Sequence, residues 1–87
     1  MSNSSDFDSL KITIEKQIIV VLDFLLLDKQ IETKEVSQIS KFVLSDLDKT
    51  QNPTELYSSF FNLLSKFPIL SSYLQKTFNS LEKFSNG

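Results

Sequence analysis

The chain has 87 residues, with eleven acidic and nine basic side chains and a formal net charge of −2. It contains no Cys and no His, which excludes disulfides, thiolate metal sites, and the commonest general base and metal ligand. The length fits one domain. The charge is −2 over residues 1–30, −1 over 31–52 and +1 over 53–87, so no stretch offers the cationic cluster that nucleic-acid phosphates require.

Met1–Ser5 is polar and is expected to be disordered, leaving 6–87 as a single helical domain. Ser5 or Asp6 can cap a first helix over about 7–28, where acids near its start suit the macrodipole. Within it, Ile18 to Leu27 reads Ile-Ile-Val-Val-Leu-Asp-Phe-Leu-Leu-Leu, nine of ten side chains apolar. Ten helical residues cover about 15 Å, half of the roughly 30 Å of hydrocarbon a membrane span must cross. Asp23 interrupts the run, while Glu15, Lys16, Asp28 and Lys29 close it. No membrane span and no secretory signal is expected.

The alternation of Leu10, Ile12 and Ile14 would suit a strand. No turn residue breaks Asp6 to Lys29, however, and a lone strand would leave its backbone donors and acceptors without partners. On a helix, Phe7, Ile14, Ile18, Val21, Leu22 and Leu25 form a broad main face with Ile19 and Leu26 at its margin. Val20, Phe24 and Leu27 form a second, narrower face, with Asp23 and Lys16 between the two. A helix apolar nearly all round is central to its fold or supplies an interface, so helix 1 is expected to be the most buried element, shielded by sister helices or by a second copy.

Asp8-Ser9-Leu10 resembles the tripeptide of acyl carrier proteins, in which the serine at a helix start carries phosphopantetheine. The likeness covers three residues, and the helix that precedes the serine in that family is missing here. The same residues suit the first turn of an ordinary helix. An ordinary helix start is expected there, and no cofactor.

Thr33, with Glu35 in the first turn, is the candidate N-cap of helix 2 over about 33–49. Its apolar stripe is Val36, Ile39, Val43 and Leu47, joined by Phe42 and Leu44. Asn52-Pro53-Thr54-Glu55 combines a capping Asn, a Pro at the first helical position and a Glu at the third, and starts helix 3 over 53–66. Leu56, Phe60, Leu63, Leu64 and Phe67 share one face there, with Tyr57 and Phe61 beside it. Pro68 forces Phe67 out of helical geometry and ends helix 3. Helix 4, about 69–84, carries Ile69, Leu70, Tyr73, Leu74, Phe78, Leu81 and Phe84 at three- and four-residue spacing.

Short connections between amphipathic helices favour antiparallel neighbours. The expected fold is therefore an all-α, compact antiparallel four-helix domain with a tight Pro-containing turn between helices 3 and 4. No nucleophile has a base beside it in the pattern, the single glycine rules out a phosphate-cradling loop, and the acids show no calcium-loop spacing. Neither catalysis nor a metal site is expected. The expected function is a small cytoplasmic interaction or self-association module, binding a protein partner or forming a homo-oligomer through Val20, Phe24, Leu27, Tyr57 and Phe61. The alternative is a cavity between helices 1, 3 and 4 that takes a small apolar ligand.

Overall fold

A computed structural model describes the backbone of residues 3–86 and the side chains of residues 6–82. Four α-helices follow one another: α1 (Asn3–Leu27), α2 (Thr33–Ser45), α3 (Pro53–Lys66) and α4 (Pro68–Asn86), with a 3-10 turn at Leu47–Lys49 after α2. No strand occurs among the described residues. The 25 residues of α1 span about 37 Å at the helical rise, which accounts for most of the 43 Å long axis.

The helix begins at Asn3, ahead of the expected Phe7. Of the segment expected to be disordered, Met1 and Ser2 lie outside the described residues, and the backbone of 3–5 is helical. Asp8-Ser9-Leu10 consequently lies inside α1, past its first turn, and Ser9 is exposed.

Chain reversal after α1 uses no glycine. Gln30 N–H donates to the Leu25 carbonyl at 2.9 Å and Lys29 N–H to that of Leu26 at 3.1 Å, the paired bonds of a Schellman ending. Lys29 takes the left-handed position at φ 61°, where a Cβ atom crowds the carbonyl. Lys29→Gly is expected to raise stability by about 0.5–1 kcal/mol, or roughly 2–8 °C in Tm. A circular-dichroism melt in which the glycine variant is no more stable would show that this residue carries no strain.

α2 starts at the expected Thr33, but its cap is Glu32, one residue ahead of the expected one, and the Glu32 N–H donates to Glu35 Oε1 at 3.1 Å. It stops earlier than expected. Asp46 leaves helical geometry at φ −126°, ψ −63°, and the following 3-10 turn drives Leu47 into the core, fully buried. Thr50 Oγ1 donates to the Leu47 carbonyl at 2.7 Å. Lys11 reaches across from α1, its Nζ donating to the carbonyls of Asp48 at 2.8 Å and Thr50 at 3.1 Å. These bonds satisfy the carbonyls that a helix end leaves open.

α3 keeps the expected bounds. Asn52 Oδ1 accepts the Glu55 N–H at 2.9 Å, and Glu55 Oε1 accepts the N–H of Gln51 at 2.8 Å. Phe67 alone separates α3 from α4, at φ −127°, ψ 77°. The two helices fold back on each other in the most extensive contact of the molecule. Tyr57, Phe60 and Phe61 from the middle of α3 all meet the Phe78 ring, at 5.1, 5.9 and 6.2 Å between centroids.

α1 supplies six of the sixteen buried apolar side chains found among the described residues, and they are the expected main face: Phe7, Ile14, Ile18, Val21, Leu22 and Leu25. Leu56, Phe60, Leu63, Leu70, Leu74 and Leu81 close over them. The side chain of Phe84, expected on the same stripe, lies outside the described residues. α1 is nevertheless not shielded all round within one chain. α2 and α4 pack along one side of it and leave the other to solvent, as the exposure of Val20 and Leu27 shows.

Candidate interaction surface

Buried and exposed positions on α1 divide cleanly. The core side chains centre on Phe7, Ile18 and Leu25, and the opposite side carries Ile12, Ile19, Val20, Phe24, Leu26 and Leu27, which are 40–85% exposed. Lys16 and Asp23 lie along the middle of that side and are exposed as well. Single exposed hydrophobics are ordinary, but six gathered on one helix face are not.

The expected partner residues fall into two groups. Val20 (62% exposed), Phe24 (50%) and Leu27 (85%) belong to the outer face of α1. Tyr57 and Phe61 flank Phe78 at the α3–α4 seam, Tyr57 partly buried and Phe61 exposed. The groups are linked only through α4: Phe24 leans on Tyr73 at 5.6 Å, and Tyr73 and Phe78, five residues apart, point to different sides of their helix. Ile12, Ile19, Leu26 and Leu44 add to the exposed apolar side chains beyond the expected partner residues. Ile12, Ile19 and Leu26 recur every seven residues, a signal the sequence carries.

Between α1 and α2 runs a groove of about 260 Å³, lined by Glu15, Ile18, Ile19, Leu22, Ser40, Val43 and Leu44. Leu44, expected in the apolar stripe of α2, is 66% exposed at its lip. Glu15 is the one acid there. Its Oε2 is buried and has no hydrogen-bond partner. Burial raises its pKa first and the neighbouring Asp48 carboxyl adds to this, while Lys11 opposes it, giving about 7 in place of the ordinary 4.5. Two ionised carboxylates offer each other only acceptors, and a proton on Glu15 supplies the missing donor.

Among the described residues, Phe24, Phe61 and Phe78, the rings around which a cavity between helices 1, 3 and 4 is expected, do not line a common one. Phe24 is half exposed against Tyr73, and the groove of about 200 Å³ at Phe61 and Phe78 is lined by α3 and α4 alone. Leu25, Phe60, Leu63 and Leu70 fill the space between, each at 0% exposure. A more polar groove of about 350 Å³ lies beside α3, lined by residues that include Lys49, Glu55, Ser59 and Asn62. Among the described residues no group of three acids could hold a metal ion, and no helix is long and apolar enough to cross a membrane.

Fold and surface together define a small all-α domain with one uncovered apolar helix face. Comparison with protein-family models gives no match, and neither does comparison with curated proteins or with solved structures.

Proposed function

We propose that the chain is a non-enzymatic interaction module and that the outer face of α1 is its contact surface. One observation carries this reading: on one helix the inner side chains are closed off from water while Ile19, Val20 and Leu27 stand 58, 62 and 85% exposed. Leaving that much apolar surface wet is unfavourable by roughly 25 cal/mol per Å², and a second protein surface removes the cost. A helix face of this kind fits an apolar helix or groove of comparable length. The pattern offers a place to dock and no nucleophile paired with a base.

Site-specific photo-crosslinking in the full chain tests the reading. A photoreactive side chain in place of Val20 is expected to give discrete protein adducts that Leu27→Lys abolishes. The same group in place of Thr54, an exposed residue of α3, is expected to give none. Absence of adducts at Val20 would remove the α1 face as a contact surface.

A further inference from the structure

The charges on the same face identify its occupant. Resting on the interaction reading above, we infer that the outer face of α1 pairs with α1 of a second copy, antiparallel, about a two-fold axis passing between Ile19 and Val20. Three stripes run along this face. Ile12, Ile19 and Leu26 form one edge, Val20 and Leu27 the other, and Lys16 and Asp23 the line between; within each stripe the spacing is seven residues. Seven residues are close to two helical turns, so each stripe runs nearly straight along the helix.

A two-fold axis perpendicular to both helices reverses the chain and keeps each stripe on its own edge. Residues whose numbers sum to 39 then lie at the same height. Lys16 meets Asp23 of the second copy, and Asp23 meets its Lys16, so the central line forms two ion pairs. On the edges Ile12 comes level, within one residue, with Leu26 of the other copy, and Ile19 and Val20 each meet their own counterparts. A parallel pair would instead set Lys16 against Lys16 and Asp23 against Asp23, which is repulsive. The antiparallel register is thus the self-complementary one.

The apolar area sets the strength. The five side chains of the two edge stripes, 40–85% exposed, offer on the order of 600 Å² per chain, the low end of the roughly 600–1,000 Å² per partner of specific interfaces, so the pairing is expected to be weak and concentration-dependent. Between two apolar stripes the charges lose water on association, and only the exchanged pairs offset that loss. The pairs therefore set register and orientation more than strength.

Sedimentation of the purified chain across a wide concentration range, with circular dichroism as the check on folding, tests the inference. The native chain is expected to reach a dimer. Lys16→Asp and Asp23→Lys are each expected to weaken dimerisation by at least about tenfold, because each places like charges face to face. The double variant, and an equimolar mixture of the two single variants, are expected to recover it. Asp23→Lys is the sharper case: it moves the formal net charge from −2 toward neutrality, so general repulsion falls while this register predicts weaker pairing. A native dimer indifferent to both single substitutions overturns the register. A native monomer at all concentrations that still crosslinks through Val20 to another protein overturns self-pairing and leaves the interaction reading standing. A monomer without crosslinks ends both.

Discussion

Leu25→Ala is expected to lower the unfolding free energy by about 2–5 kcal/mol, while Leu27→Ser, two residues further on, is expected to change it by no more than about 0.5 kcal/mol. Leu25 is 0% exposed and Leu27 is 85% exposed. Truncating the first removes buried methyl groups and leaves a cavity among side chains that cannot collapse fully. Truncating the second removes surface that was already wet. A domain of this size has only about 5–15 kcal/mol of total stability, so Leu25→Ala takes a large share of it. Urea unfolding monitored by far-ultraviolet circular dichroism, at a concentration where the native chain is monomeric, checks the contrast. Equal losses from the two variants would mean that Leu27 is covered within the single chain, and the interaction reading would then lose its basis.

Stability is expected to fall as pH rises from about 5 to about 8. Most carboxylates that gain partners on folding favour the opposite trend. Glu15 departs from it because burial and the adjacent Asp48 raise its pKa from 4.5 to about 7. A group with a raised pKa binds its proton more tightly in the folded state. Its contribution is complete below the unfolded value near 4.5 and is lost as pH passes through about 7. Water screens part of this interaction at the groove mouth, which leaves an effect of about 1 kcal/mol. The proton belongs to the Glu15–Asp48 pair, with Lys11 opposing it from the same helix as Glu15. Glu15→Gln keeps a neutral donor at the site. It is expected to flatten the pH dependence and to raise stability at pH 8 by a similar amount. A native urea midpoint that is constant or rises between pH 5 and pH 8 would show that Glu15 ionises normally.

Local signals were read most faithfully where the structure is local. Asn52-Pro53-Thr54-Glu55 places cap, first position and third position next to one another in the chain, and α3 has the bounds those residues imply. Pro68 bars its own N–H and the geometry of Phe67, and α4 begins there. The main face of α1 was legible because helical periodicity alone brings Phe7, Ile14, Ile18, Val21, Leu22 and Leu25 to one side. The end of α2 was not. Leu47 continues the stripe of that helix in sequence, but its burial needs the chain to break at Asp46, and Lys11 holds the break from another helix. The α1 ending falls within one residue of the expected Asp28, although Lys29 occupies a position where glycine would have marked the turn.

Composition and periodicity were therefore sufficient for the class of fold, the helix count and the inner faces of α1 and α3, because those follow from intrinsic turn chemistry and the 3.6-residue repeat, whereas Leu44 of α2 and Tyr73 of α4, on the expected stripes, stay 66 and 42% exposed. Which apolar side chains stay wet was decided only by packing. Val20 and Val21 are chemically identical neighbours, yet one is 62% and the other 9% exposed, because α2 and α4 pack along only one side of α1. The same packing brings Asp48 against Glu15 from 33 residues away, and no local pattern encodes an encounter set by the path of the intervening chain.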